Sequence, residues 1–393
     1  MSTTHTAPEP LGPGPAGRVA RAVAGARRRR LDWVLVGTVL ALTGIGALLL
    51  AAATYEPGHP ESPLAYLERH LLHVAVAVAV GAAVAFVDHR KPRAYAPVVF
   101  ALSAVLLALV LSPLGQVVNG SRSWVALGPV QLQPSEFAKG ALVLMIAVLL
   151  GEPRDGETAP TSRDVLFSLA ALAVPLGLVM LQPDLGTGMV VGTTYLAMLA
   201  LSGAPLRWIL ALLGCGAAAG FSVWWFGLLK SYQLARFTSF LDPSADPRGT
   251  GYNATQAMNA VGSGGISGSG LFQGQLTAGR FVPEQHTDFI FTVAGEELGF
   301  VGGIAVIGLL ALMLLRILRI AAGCEQPYGR LVCVGVAAWF AFQSFINIGM
   351  TLGITPITGI PLPFVSYGGS ATIANMAAVG LVLGVNARDR GFE

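Results

Sequence analysis

The 393-residue chain is poor in charge: Asp, Glu, Lys and Arg make up only 11% of it. Soluble domains carry roughly 25% charged residues, so this sequence cannot build an ordinary water-exposed surface. Cysteine is nearly absent. Cys215, Cys324 and Cys333 are odd in number and fall in apolar runs or a short basic loop, which argues against a disulfide framework. The chain holds no Walker motif, no G-x-S-x-G elbow with triad partners and no zinc-like spacing of His, Cys and Asp. The net charge of +3 is scattered among loops and forms no nucleic-acid patch.

What the chain has instead is apolar length, with hydrophobic residues at 54%. Apolar runs near 33–53, 70–87, 94–112, 135–151, 164–181, 184–202, 206–228, 289–316, 331–352 and 368–386 predict an all-α polytopic membrane protein. The expected architecture is a bundle of about ten transmembrane helices with a long extracytoplasmic loop between the seventh and eighth. The weak joint is Gln182-Pro183-Asp184, all that separates the fifth run from the sixth. Residues 1–30, rich in Pro, Gly, Ala and Arg, read as a disordered basic cytoplasmic tail, 31–388 as the membrane domain and 389–393 as a second cytoplasmic tail. Ala51-Ala52-Ala53 resembles a signal cleavage site, but the run from Trp33 to Ala53 is too long for an h-region and reads as an uncleaved anchor.

Basic residues set the orientation. Arg27 to Arg30, Arg90, Lys91, Arg93, Arg154, Arg163, Arg207, Arg316, Arg319, Arg330 and Arg388 fall on one side, which places both termini in the cytoplasm. The informative loops, 113–134, 182–184, 229–288 and 353–367, then face outward. Nucleotide sugars are not available there, so an activated substrate has to arrive on a lipid.

Polar groups gather at the outer ends of four helices. The eighth is entered through Phe281 to Phe300, where Glu284, His286 and Asp288 stand at the junction of a polar loop and an apolar run. Glu284 and Asp288, four apart, share a face if the turn is helical. A lone loop histidine such as His286 is more often neither a base nor a ligand. A helix begun at Asp288 carries Glu296 and Glu297 ~12–13 Å deeper, where they serve as structural or cavity partners, with Lys139 as a candidate counter-charge. The fourth run begins Gln133-Pro134-Ser135-Glu136, with Lys139 one turn in. A capped helix with an i,i+3 pair explains Glu136, but a lysine inside a span needs a partner or a wet cavity. Asp184 reads first as a helix cap. At the tenth run, Ser366, Gly368 and Gly369 suit either phosphate approach to free amides or close helix packing. The ninth carries Gln343 and Asn347, amides suited to contacts or to a lipid path.

These residues fall in recognisable motifs. Asn119-Gly120-Ser121-Arg122-Ser123-Trp124, Gln133 to Lys139, Gln182 to Thr187, Pro283 to Phe291 and Phe364 to Ser370 occur in one order. The chain from Leu31 to Arg388 resembles the SEDS family (shape, elongation, division and sporulation). Within it, Gly349 to Phe364 resembles the rod-shape branch more than the division branch.

The resemblance implies a ten-helix peptidoglycan glycosyltransferase of the bacterial cytoplasmic membrane. It would polymerise lipid II at the outer face, release undecaprenyl diphosphate and work with a class B penicillin-binding protein in cell elongation. The septal polymerase is the alternative within the family. The resemblance also implies Asp288 as the essential aspartate and Glu136, Lys139 and Asp184 as cavity acid, base and acid. Arg122 matches the arginine before the family's tryptophan, here with Ser123 between them.

Read as chemistry, Asp288 is the candidate general base, with Glu284 the nearest substitute. Arg122, Lys139 and the helix start after Tyr367 are candidates to meet the leaving pyrophosphate. A divalent cation held by Asp288, magnesium or manganese, is an open alternative. A lipid II flippase is the competing function, since a charged intramembrane cavity would also pass a headgroup. A scaffold has no need of such charges.

Overall fold

In hydrocarbon every backbone N–H and C=O must be paired within its own segment, so long apolar runs fold as helices. The computed structural model describes residues 31–55, 64–87, 90–118, 121–127, 130–151, 159–227, 231–247 and 249–389. The expected tail 1–30, residues 390–393, Asn119-Gly120 and Arg154 lie outside the described residues.

The chain runs α1 (Trp33–Thr54), α2 (Ala65–Phe86), α3 (Arg90–Val110), α4 (Pro134–Gly151), α5 (Ser162–Leu181), α6 (Leu185–Leu201) and α7 (Leu206–Trp225). After a long connecting segment it resumes as α11 (Ile290–Ala322), α12 (Pro327–Thr351) and α13 (Gly369–Asp389). Among the described residues, 9 of these helices are long and apolar enough to cross a membrane. The exception is α6, which has only 17 residues. Its N-terminus is fixed by Asp184, whose carboxylate accepts from the Thr187 amide at 2.9 Å and from the Thr187 hydroxyl at 2.8 Å. The expected ten apolar runs are thus all helical. Where the chain enters the bundle, Asp32 caps α1 by accepting from Leu35 N at 3.0 Å and pairs with Arg316 of α11.

Two of the connecting regions are more ordered than loops. Residues 113–134 carry an antiparallel sheet in the order β1 (Gly115–Val118), β2 (Ser121–Leu127), β3 (Val130–Leu132). In β2, Ser123 and Val125 are buried while Arg122 is exposed, the two-residue alternation of a strand with one covered face. Its hydroxyl at Ser121 donates to the Gln182 carbonyl at 2.7 Å, tying the sheet to the short α5–α6 link.

Between α7 and α11 the chain forms α8 (Ser231–Leu241), α9 (Thr250–Ser263) and the single turn α10 (Gln275–Ala278). The expected loop 229–288 is thus partly helical, in α8 and α9. They are anchored by a break in α11. Gly299 adopts φ +66° and ψ −164°, a conformation that only glycine tolerates easily. The helix ladder opens there, and the glycine-rich loop closes it from outside. Ser269 N donates to Glu296 O at 3.0 Å and Gly270 N to Glu297 O at 3.1 Å, while Phe300 N donates to Gly265 O at 2.9 Å.

Glu296 and Glu297 serve this same anchor. Glu296 accepts from Leu276 N, Thr277 N and the Thr277 hydroxyl at 2.7–2.8 Å, and Glu297 accepts from Phe272 N at 3.1 Å. They hold the connecting segment down. The expectation of a pairing with Lys139 is corrected: Lys139 meets other groups.

The interior is centred on α12, whose Trp339, Phe340, Gln343 and Asn347 are fully buried. At the other extreme, α7 contributes no buried side chain. Its C-terminal end exposes Phe221, Trp224 and Trp225, as aromatic side chains do at a membrane interface.

Candidate active site at the outer helix ends

Asp288 sits two residues before α11, in a turn made by its own neighbours. The amides of Thr287, Asp288 and Phe289 all point to the Glu284 carbonyl at 3.1–3.3 Å, and Glu284 takes φ +54° to allow it. A non-glycine residue in that region is costly and persists only where surroundings impose it. The turn leaves Glu284 exposed and Asp288 half-buried.

Three other elements converge on Asp288. Arg236 comes from α8, where its guanidinium donates to Thr358 O at 3.2 Å. Asp184 comes from the start of α6. Gly359 comes from the segment after α12 and approaches so closely that an added Cβ would lie 3.3 Å from Asp288 Oδ2. Burial pushes the Asp288 carboxyl up to about 7; the Glu284 and Asp184 charges push the same way, and Arg236 opposes them. A carboxyl in that range is half-ionised near neutrality and can both take and return a proton.

Gly359 also has φ +77°. A side chain there pays for a left-handed backbone, about 1–2 kcal/mol, and crowds the Asp288 oxygen. We therefore expect Gly359→Ala to slow turnover severalfold and to lower the thermal midpoint of the detergent-solubilised protein. Unchanged turnover would show that this wall does not shape the site.

Beside Asp288 lies a group of rings. His286 is edge-on to Tyr66 at 5.3 Å and tilted toward Tyr367 at 5.9 Å, and the Tyr367 amide donates to the His286 carbonyl at 3.0 Å. Burial pushes the His286 imidazole down; the Glu284 charge opposes the shift and Arg280 adds to it. The rings of His70 and His73 on α2 lie 5.8 and 6.1 Å from Tyr367. Sequence reasoning did not single out these α2 residues, because nothing in the run 70–87 marks which face meets the site.

The remaining expected site residues are distributed around this centre. Glu136 and Lys139 are both buried and pair with each other at 2.8 Å; Lys139 also donates to Gln343 Oε1 at 2.9 Å and sits 4.8 Å over the Trp339 ring. Ser366 is buried and closes a turn, its hydroxyl accepting from Leu362 N at 2.8 Å. Gly368 precedes α13 and Gly369 begins it, and Ser370 Oγ accepts from Gln133 N at 3.0 Å, joining the α13 and α4 starts. Arg122 stands exposed on β2. The structure thus gathers Asp288, Glu284, Asp184 and Arg236, keeps Glu136 and Lys139 as a separate buried pair, and leaves Arg122 on the sheet. Arg236 was missed as a site residue because a loop arginine carries no signal of what it will face.

Among the described residues no group of three His, Cys, Asp or Glu side chains could hold a metal ion.

The chain as a whole is similar to known proteins. The profile of the FtsW, RodA and SpoVE family, described as cell cycle protein, matches residues 32–391. Stage V sporulation protein E of Bacillus subtilis is 37% identical over 364 residues, covering 91% of this chain and 98% of the relative. Peptidoglycan glycosyltransferase MrdB of Escherichia coli K12 is 37% identical over 357 residues, covering 91% and 93%. A probable peptidoglycan glycosyltransferase FtsW, from Coxiella burnetii, is also 37% identical. Among solved structures, a chain of a peptidoglycan synthase complex that coordinates polymerization and crosslinking superposes with TM-score 0.78 at 33% identity, covering 92% of this chain and 99% of that one. The rod shape determining protein RodA of Thermus thermophilus superposes with TM-score 0.68 at 30% identity, covering 91% and 97%. The chain belongs to the FtsW, RodA and SpoVE family, the SEDS proteins.

Proposed function

We propose that the chain is a peptidoglycan glycosyltransferase that polymerises lipid II at the outer face of the bacterial cytoplasmic membrane. The observation that carries the reading is Asp288: a carboxyl poised at about 7, placed where the external segment enters the bundle. Its carboxylate takes the proton of the acceptor sugar hydroxyl as that oxygen attacks the anomeric carbon of the donor. The bond to the lipid diphosphate breaks, and undecaprenyl diphosphate leaves with the electron pair. Asp184 and Glu284 are assigned to the substrate cavity beside Asp288; Arg122, the separate Glu136–Lys139 pair and the Ser366–Gly369 turn are assigned to substrate binding on the resemblance to the family. Relatives named as peptidoglycan glycosyltransferases, alike over nine-tenths of the chain, support this activity. The synthase complex supports a class B penicillin-binding protein as partner.

The proposal keeps both termini cytoplasmic, on the distribution of basic residues. It assigns the chain to elongation and cell shape on the proline-rich segment Gly349 to Phe364, the septal role being the alternative within the family.

The test is reconstitution of the purified full-length chain with a class B partner, supplied with lipid II. Glycan polymer and released undecaprenyl diphosphate are expected. Headgroup translocation across vesicles without polymer would overturn the proposal in favour of a flippase.

A further inference from the structure

Two amides on α12, Gln343 and Asn347, are 0% exposed. Four residues apart, they lie on one face of the helix. Gln343 accepts from Lys139 Nζ at 2.9 Å and from the Trp339 indole at 2.7 Å, and its Nε2 donates to Pro361 O at 2.8 Å. One turn outward, Asn347 Nδ2 donates both its hydrogens, to Ile360 O at 2.7 Å and to Asp288 O at 2.7 Å. Two carbonyl acceptors fix which end of the Asn347 amide is nitrogen, because an oxygen placed there would face two oxygens.

The two carbonyls belong to opposite walls of the site. Asp288 carries the reactive carboxyl. Ile360 follows Gly359, whose backbone lies against Asp288 Oδ2. The segment from Gly353 to Pro361 forms neither helix nor strand, so its carbonyls depend on donors from elsewhere. A single amide therefore sets the spacing between the Asp288 backbone and the wall that limits its side chain.

We propose that Asn347 is a positioning residue for transfer, bridging the Asp288 and Ile360 carbonyls so that the Asp288 carboxylate meets the acceptor hydroxyl at bonding distance. The inference rests on the proposed function, and it assigns Asn347 no contact with substrate. A misplacement of about 1 Å at a reacting group can cost roughly a hundredfold in rate. The ground-state affinity for lipid II does not pass through this bridge. Its loss therefore falls on kcat.

The experiment uses the full chain with its class B partner and lipid II, with rates expressed per folded molecule from the thermal unfolding curve. Asn347→Leu keeps the size and removes both donors. It should lower kcat tenfold to a hundredfold, leave KM within about threefold, and displace the acid limb of the pH–rate profile from its wild-type position. Asn347→Gln, which keeps the donor on a longer stem, should recover part of kcat. If the leucine variant does not fold, Asn347→Ser carries the same test, because its smaller side chain admits water to both carbonyls.

Wild-type kcat per folded molecule in either variant would overturn the inference, as would a rise in KM at unchanged kcat. A wild-type protein that makes no polymer would instead sink the proposed function. Loss in Asp288→Asn with full activity in Asn347→Leu would sink the positioning role alone.

Discussion

Asp288→Asn is expected to reduce lipid II polymerisation roughly 10²–10⁴-fold, the usual contribution of a positioned general base, with little change in KM. The amide keeps the size of the carboxyl and loses only the ability to take a proton. The pH profile gives a second, independent reading. With the carboxyl pushed up to about 7, the ionised form is the minority below that pH. Wild-type turnover should therefore fall about tenfold per unit on the acid side and level off about one unit above 7. The aspartate-dependent limb should be missing from the Asn variant.

Stability should move the other way. A carboxyl whose folded pKa lies above its unfolded value of 3.8 stabilises the fold while protonated, and that contribution is lost as pH rises through about 7. At pH 8 the Asn variant has no charge to bury and should unfold no earlier than the wild type. A variant that is inactive yet equally heat-stable separates chemistry from folding. Wild-type polymerisation by Asp288→Asn would remove Asp288 from the mechanism.

The position of Asp288 was legible because a carboxylate at the boundary between a polar loop and an apolar run has few structural uses. Its surroundings were not. Arg236, Asp184 and Gly359 are far from it along the chain, and no periodicity records which loop folds onto which. The helices were legible for the reason that makes hydropathy informative: a run that cannot pair its backbone with lipid must pair with itself. The three short strands before α4 escaped, since β2 alternates over too few residues to stand out between turns.

Glu296 and Glu297 show a different failure. Read as an uninterrupted helix, the sequence sends them down into the bundle as structural or cavity partners, with Lys139 as a candidate counter-charge. Gly299 breaks that helix, and the glycine-rich loop comes in over the gap, so both carboxylates find amide donors outside the span. A glycine within an apolar run was the available signal, and small residues are too common in membrane helices for one to stand out. Gln343 and Asn347 were visible as amides in a span. What they hold together required the fold.

Lys139→Met should be the most destabilising single change in the bundle interior. Lys139 and Glu136 are each almost fully buried, and their ion pair is 2.8 Å long. Lys139 holds Glu136 Oε1, and among the described residues Oε2 has no hydrogen-bond partner, so the lysine is the charge that makes this carboxylate tolerable. Removing one member of a buried pair typically costs about 3–5 kcal/mol, because the other charge is left without compensation. The lysine also holds Gln343 Oε1, so its loss loosens the amide that carries the Pro361 carbonyl. We expect a clear drop in the thermal midpoint in detergent, together with lower polymerisation.

The double variant Glu136→Gln with Lys139→Met separates the two effects. With no charge left to bury, it should regain most of the lost stability. Polymerisation should stay low, as the proposed substrate-binding set then lacks both charged groups. Recovery of full activity along with stability would confine the pair to holding the bundle together, and Asp288 would then stand without these two groups in the transfer. Lys139→Arg is not a mild replacement, since a planar guanidinium cannot occupy the compact position over Trp339 while keeping the contacts to Glu136 and Gln343.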